Sequence, residues 1–93
     1  MVEGVTASGF PFAYDEQIMN DFEIVDAIAD IVSEEPSRLL TGLSTFISKV
    51  MGSEGKKALY DHVRTPDGRV PIDKIQVEIT EMLTAGREPV KKS

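Results

Sequence analysis

The sequence holds few side chains that could act as a nucleophile, a general base or a soft metal ligand. Its 93 residues include one histidine, His62, and no cysteine, so disulfides and thiolate metal sites are excluded. No serine lies in a Gly-x-Ser-x-Gly motif, and the sequence therefore predicts no conventional pair of nucleophile and base. We expect His62 to be an ordinary surface or boundary residue, and we expect a protein that is not an enzyme and binds neither cofactor nor metal.

The segment Asp67-Gly68-Arg69-Val70 lies between two predicted helices and resembles the centre of an EF-hand calcium loop. With Gly68 at position six of such a loop, position one is Val63 and position twelve is Lys74. Calcium needs several oxygen ligands, including a bidentate carboxylate at position twelve, so a lysine there opposes binding. The remaining features predict a helix–loop–helix corner that does not bind calcium.

Charge is distributed unevenly along the chain. Residues 1–37 contain nine of the 16 acidic residues and none of the ten lysines and arginines, which gives them a formal charge of −9, against +3 for residues 38–93. In one interpretation the two halves attract each other within one folded molecule, or are simply solvated. In the other, copies of the chain associate head to tail as a homo-oligomer. The acidic balance opposes binding to nucleic acid.

Length and composition indicate one small globular domain. Hydrophobic residues make up 41% of the chain and charged residues 28%, and a second independent core would leave each half too short to fold unaided. Neither a membrane span nor a signal peptide is recognisable, so we expect a cytoplasmic protein that does not bind membranes. We predict a flexible N-terminus over residues 1–9, a single helical domain over residues 10–86 and a disordered tail over residues 87–93.

Four segments have the apolar spacing or the end signals of helices. The segment from Arg38 to Met51 places seven large apolar side chains on one face and dominates the predicted core. Pro36 and Gly52 mark where this central helix begins and ends. The other helices are predicted at residues 22–32, after Ser53, and from Pro71 to Gly86, with a turn at residues 65–68. The predicted fold class is all-α, a small bundle of about four helices with a short extended aromatic N-terminal arm.

Three features predict contacts with a partner protein. Aromatic residues alternate in the N-terminal arm, whose rings either close the helical core or dock on a neighbouring subunit. The apolar arc of residues 22–32 spans about 220°, which is wider than one packed neighbour needs. The back of the central helix is small and nearly uncharged, so it could admit a second helix from this chain, a sister copy or a client. The candidate partner-binding residues are Phe10, Phe12, Tyr14, Ile24, Ile28, Ile31, Thr41, Ser44, Thr45, Ser48 and Val77.

The order of these features resembles that of the small tail assembly chaperones of long-tailed phages and prophages. The resemblance covers residues 9–84 and rests on the arm, the acidic apolar helix and three short motifs. These motifs are Val50-Met51-Gly52-Ser53-Glu54, Lys57-Ala58-Leu59-Tyr60 and Asp67-Gly68-Arg69-Val70-Pro71. It implies a protein without catalytic residues that coats the helix-rich tape measure protein in the bacterial host cell and keeps it soluble during tail assembly. The alternative is a non-catalytic adaptor or regulatory module with an EF-hand-like corner that cannot bind calcium.

Overall fold

The chain is mostly helical and carries a small two-stranded antiparallel sheet at its N-terminus. The structure is a computed structural model that describes the backbone of residues 1–87 and the side chains of residues 1–85. The elements are β1 (Val2–Val5), β2 (Pro11–Tyr14), a 3-10 helix (Glu16–Asn20), α1 (Phe22–Ile31), α2 (Pro36–Phe46), a π-helical turn (Ile47–Met51), α3 (Gly52–Val63) and α4 (Ile72–Arg87). The predicted helical character is confirmed, but the prediction of an all-α bundle of four helices is wrong, because the N-terminus pairs with the aromatic arm as a sheet.

The β-hairpin is the largest departure from the predicted fold. Gly4 of β1 lies opposite Phe12 of β2, and a Cβ atom at Gly4 would lie only 2.9 Å from Cζ of the Phe12 ring. Gly4 therefore leaves room for the ring across the pair of strands. Residues 1–9 were expected to be flexible because they are small and polar, yet residues 2–5 form a strand. The sequence of β1 has too little apolar alternation to predict a strand that pairs with β2.

α1 and α2 form a closely packed pair in which Gly42 is the point of nearest approach. A Cβ atom at Gly42 would lie 2.6 Å from the carbonyl oxygen of Ala27 and 2.9 Å from the backbone nitrogen of Ile31. Only glycine permits two helix backbones to approach so closely. The helix that lies next to the small, nearly uncharged face of the central helix is therefore α1 of the same chain.

The helix boundaries follow the end signals in the sequence. The Asp21 carboxylate accepts a hydrogen bond of 2.9 Å from the backbone N–H of Glu23 and caps α1, and Pro36 occupies the first turn of α2. The central helix continues through the π-helical turn to Gly52, whose φ of +71° turns the chain into α3. The predicted stop at Gly52 is therefore confirmed, although α2 itself ends at Phe46.

The C-terminal half contains the predicted turn and the last helix. The backbone N–H of Gly68 donates to the carbonyl of Thr65 at 2.9 Å, and Gly68 has a φ of +94°, as this turn requires. α4 then continues to Arg87, one residue past the predicted end at Gly86. Arg87 was the first residue of the predicted disordered tail, and the rest of that tail lies outside the described residues.

The core gathers side chains from the hairpin and from all four helices. Its fully buried members include Phe46, Ile47, Leu59, Ile79 and Met82, and the hairpin closes one end of it. The buried hydrophobic residues are Phe10, Tyr14, Ile24, Ala27, Ile31, Leu43, Phe46, Ile47, Leu59, Val63, Ile75, Ile79, Met82 and Leu83. Within residues 1–87, none of the helices has the length and hydropathy needed to cross a membrane.

Candidate protein-binding surface

One face of α1 presents large apolar side chains to solvent. Phe22 is 77% exposed, Val25 is 44% exposed, and Val32, which caps the helix, is 71% exposed. Ala29 is exposed between the last two. The four residues follow the 3-4-3 spacing that places side chains in one line on a helix and forms the seam of coiled coils. We call this line, Phe22, Val25, Ala29 and Val32, the α1 stripe.

The opposite face of α1 belongs to the core. Ile24 is 1% exposed, Ala27 2% and Ile31 5%, and these residues repeat with the same spacing as the stripe. The prediction that α1 is more apolar than one neighbour requires is thus matched by a buried face and an open one. Ile24 and Ile31, which were candidate partner residues, lie on the buried face. Sequence spacing could not distinguish the two faces, since both have the period of an amphipathic helix.

An acidic row borders the α1 stripe on one side. On a helical wheel Glu23, Asp26 and Asp30 follow one another beside the stripe. Asp30 accepts a hydrogen bond of 3.0 Å from Nε of Arg38, and Glu23 forms an ion pair with Lys49. Asp26 is exposed and forms no ion pair within the described part of the chain. Asp26 is therefore a carboxylate at the border of the stripe with no cation beside it among the described residues.

The same ion pairs join the acidic and the basic halves of the sequence. Nζ of Lys49 lies 2.8 Å from the carboxylate of Asp21. The hydrogen bond from Lys49, followed by the one from the N–H of Glu23, lowers the pKa of Asp21. The hydrogen bonds to Asp21 and then Glu23 raise the pKa of Lys49. Attraction between the halves within one molecule is therefore observed, while head-to-tail association of copies stays a prediction.

A second apolar surface lies on another side of the molecule, between α2, α3 and the start of α4. It is a groove of about 260 Å³. Leu40 and Ile72, which are 45% and 53% exposed, line it together with Tyr60, and Leu43 and Ile47 form its buried floor. We call it the Leu40 groove. Among the candidate partner residues, only Ser44 lines it.

The structure distributes the candidate partner residues over several surfaces instead of one. Phe10 and Tyr14 are buried at 6% and 4% exposure. These two rings therefore close the core, which is one of the two interpretations given for the aromatic arm. Phe12, Ile28 and Thr45 are half-buried, whereas Thr41, Ser44, Ser48 and Val77 are exposed. The three exposed large residues of the α1 stripe were not among the candidates. Their 3-4-3 spacing could not have identified them, because the buried face of α1 has the same spacing.

A cluster of polar side chains fastens the hairpin loop to α3 and α4. The Ser8 hydroxyl donates to Oε2 of Glu78 at 2.6 Å and lies 2.9 Å from Nε2 of His62. The sequence predicts no pair of nucleophile and base, yet a serine hydroxyl and a histidine ring lie together here. However, the carboxylate contacts the serine instead of the histidine. In this arrangement the Ser8 hydroxyl donates to Glu78 and not to Nε2 of His62, whereas a histidine that acts as a base accepts that proton.

The loop between α3 and α4 satisfies its own polar groups. Both oxygens of the Asp67 carboxylate are engaged, one by the Thr65 hydroxyl and the other by Nε of Arg69 at 3.1 Å. The hydrogen bond from Thr65 is the main reason that the pKa of Asp67 is lowered, and Arg69 adds to it. Over the side chains that the structure describes, His, Asp and Glu form no cluster of three that could hold a metal ion. Asp67 thus serves the turn itself.

Comparison with known proteins adds no relative to this description. No family model matches the chain, and neither a curated protein nor a solved structure is significantly similar to it.

Proposed function

We propose that this protein is a non-enzymatic chaperone that binds apolar helices of a phage or prophage tape measure protein through the α1 stripe during tail assembly. The observation that carries the proposal is the exposure of Phe22 and Val32, at 77% and 71%, in line on a helix whose other face is buried. Helical clients bind through apolar residues at this spacing. The resemblance of the sequence to tail assembly chaperones supplies the identity of the client.

The charge beside the stripe indicates the kind of client helix. Asp26 is exposed at the border of the stripe, and Glu34 and Glu35 follow shortly after its end and are exposed as well. A client helix with lysine or arginine next to its apolar face would complement this border. The proposed client segment is therefore a basic amphipathic helix.

The size of the stripe favours many weak contacts over one tight contact. Full burial of Phe22 and Val32 would contribute about 1.5–3 kcal/mol each. Association costs about 4–15 kcal/mol before any gain appears, so a single copy binds weakly through this stripe alone. Many copies that line one long client would gain from avidity, and this is the arrangement of a coat.

The test is co-expression with the proposed client, a phage tape measure protein, with the soluble fraction of the client as the readout. The double variant Phe22→Ser/Val32→Ser removes the two most exposed side chains of the stripe. Because both positions are exposed, the free energy of unfolding should change by less than about 0.5 kcal/mol. We expect the soluble fraction to fall to the level seen without the chaperone. The matched control is Val5→Ser, which changes a valine of similar exposure, 66%, away from the stripe and outside the candidate partner residues.

Two results of this experiment decide whether the proposal holds. The control variant should keep the client soluble, and circular dichroism should show the same helical content in both variants. If the tape measure protein is equally soluble without this protein, or with the stripe variant, the proposal is wrong.

One observation favours the adaptor module as a second candidate. The Leu40 groove lies beside the EF-hand-like corner, since Val70 and Ile72 of that corner line it. EF-hand-like modules bind target helices in such grooves. The double variant Leu40→Ser/Ile72→Ser distinguishes the candidates: loss of partner binding in this variant, with full binding by the stripe variant, assigns the function to the groove.

A further inference from the structure

A third apolar groove, of about 250 Å³, lies beside β2 and shares no residue with the α1 stripe or the Leu40 groove. All four residues of β2 line it, and its opposite wall is formed by Val50, Met51, Gly55 and Ala58. None of the residues of β1 lines it. Because β1 and β2 are the two edges of the sheet, a groove lined by β2 alone follows the edge of β2 that faces away from β1. We call it the β2-edge groove.

The edge of β2 at this groove has unpaired backbone groups. The N–H of Thr6 donates to the carbonyl of Phe10 at 2.9 Å, which makes these two residues a hydrogen-bonded pair of the hairpin. Hydrogen-bonded and non-bonded pairs alternate in an antiparallel ladder, so Phe12 bonds to β1, whereas Ala13, opposite Glu3, belongs to a non-bonded pair. The N–H and C=O of Ala13 therefore point away from β1. No turn, loop or side-chain hydrogen bond of the described residues reaches them.

Pro11 sets the limit of what can pair with this edge. It has no N–H, but its carbonyl points the same way as that of Ala13, two residues further along. An added antiparallel strand would exchange two hydrogen bonds with Ala13 and donate a third to Pro11. The residue between these two pairing positions would lie opposite Phe12, with its side chain on the core side of the sheet. Gly55 and Ala58, the small residues of the opposite wall, leave space for that side chain.

Carboxylates border the groove on both sides. Glu3 lies opposite Ala13 on the outer face of the sheet, and Glu54 lies in the first turn of α3. Both are exposed, and neither forms an ion pair within the described part of the chain. Lys57 of α3 is already paired with Asp61 at 3.1 Å. A long basic side chain opposite Ala13 could reach across its methyl group to Glu3, so the border complements a basic strand.

We infer that the β2-edge groove binds an extended peptide segment of a partner, an apolar residue between two basic ones, which adds to β2 as a third antiparallel strand. The first basic residue pairs with Ala13 and reaches Glu3. The apolar side chain enters the groove opposite Phe12, and the second basic residue donates its N–H to the carbonyl of Pro11. Strand addition gains affinity from main-chain hydrogen bonds and specificity from alternate side chains. This mode differs from the helix binding proposed for the α1 stripe and does not depend on it.

The experiment is an NMR titration of the ¹⁵N-labelled full chain with the peptide acetyl-Thr-Lys-Leu-Lys-Thr-amide. We expect saturable shifts along β2 and at the start of α3, with a dissociation constant in the millimolar range. Hydrogen exchange of the Ala13 amide should become slower in the saturated complex. The matched control peptide, acetyl-Thr-Glu-Leu-Glu-Thr-amide, keeps the apolar side chain and the backbone and should bind at least tenfold more weakly. Equal binding of the two peptides, or unchanged exchange of the Ala13 amide, would overturn the inference.

Variants of Ala13 test the strand pairing itself. Ala13→Pro removes the N–H that would bond to the added strand, and we expect binding of the basic peptide to fall at least tenfold. Proline is tolerated on a strand edge whose N–H faces outward, so the hairpin should still form. The control Ala13→Ser keeps the N–H and should bind within twofold of the wild type.

Two further measurements keep the inference testable if Ala13→Pro fails to fold. N-methylation of the first lysine of the peptide removes the bond to the carbonyl of Ala13 and should weaken binding at least fivefold. The stripe variant Phe22→Ser/Val32→Ser should bind the peptide as the wild type does, whether or not the function proposed for the stripe is correct. An N-methylated peptide that binds equally well contradicts strand addition, and loss of binding in the stripe variant would place the peptide on α1 instead.

Discussion

The replacement Gly42→Ala tests the contact that fixes α1 on the central helix. The added methyl group would lie 2.6 Å from the carbonyl oxygen of Ala27, 2.8 Å from Cβ of Asp30 and 2.9 Å from the backbone nitrogen of Ile31. Ordinary contacts of a Cβ atom begin near 3.4 Å. Two of the three neighbours are backbone atoms, which cannot rotate away, so the whole of α1 has to move.

Two opposing effects decide the sign of the change. Alanine is favoured over glycine inside a helix by about 1 kcal/mol, which would stabilise α2. Overpacking costs about 1–3 kcal/mol, and we take the upper part of this range because backbone must shift. The net expectation is that the free energy of unfolding falls by about 1–2 kcal/mol, which corresponds to a decrease in Tm of about 4–16 °C for a domain of this size.

Urea unfolding followed by circular dichroism measures this free energy directly. The matched control is Ser44→Ala, two residues further along the exposed side of α2, where the gain in helix propensity acts without a steric cost and stability should rise by about 0.5 kcal/mol. A Gly42→Ala variant that is as stable as the wild type would refute the close packing of α1 on α2. Without that packing of α1 on α2, the structure would no longer explain why the α1 stripe is exposed.

Two further predictions concern the ion pairs and the hairpin. Asp21→Asn keeps the cap of α1 but removes one of the two carboxylates that contact Lys49. Because the folded-state pKa of Asp21 is lowered from 3.8, the stabilisation is complete above that value and is lost as the pH falls through the folded-state pKa. The variant should therefore lose less stability than the wild type between about pH 5 and about pH 2, and parallel acid curves in urea unfolding would contradict this. Tyr14→Phe removes the hydrogen bond of 2.7 Å from the tyrosine hydroxyl to the carbonyl of Met82 and should cost about 0.5–1.5 kcal/mol of unfolding free energy. Tyr60→Phe is its control, with an expected change below about 0.5 kcal/mol, and equal effects of the two variants would argue against the docking of the hairpin on α4.

Local signals predicted the helices well because each helix carries its own end signals. Asp21, Pro36, Gly52 and Gly68 act through the backbone of their immediate neighbours, so their effect can be read without knowledge of the fold. The hairpin could not be predicted in this way. β1 is held by β2 across a loop and by α4 from the far end of the chain, and a strand of Val, Glu and Gly has no strong propensity of its own.

The exposed face of α1 could not be predicted from the sequence for a related reason. α1 has two apolar lines, and the choice between them depends on which one packs against α2 and the rest of the core. Likewise, Ser8, His62 and Glu78 are separated by many positions in the sequence, and only folding brings His62 and Glu78 within 3 Å of the Ser8 hydroxyl. The spacing of residues shows that a face exists, whereas tertiary packing decides which face remains open.

The position of Gly42 links the packing of α1 to its proposed use. A helix that is held through a glycine approaches its neighbour by its backbone, and small side chains such as Ala27 suffice at the contact. Ile24 and Ile31 complete the buried side. The large residues Phe22 and Val32 are then not needed for the core, and their replacement by serine would not destabilise the fold appreciably. The proposed contact with a client helix requires residues that expose apolar area to water without supporting the fold, and the α1 stripe meets both conditions.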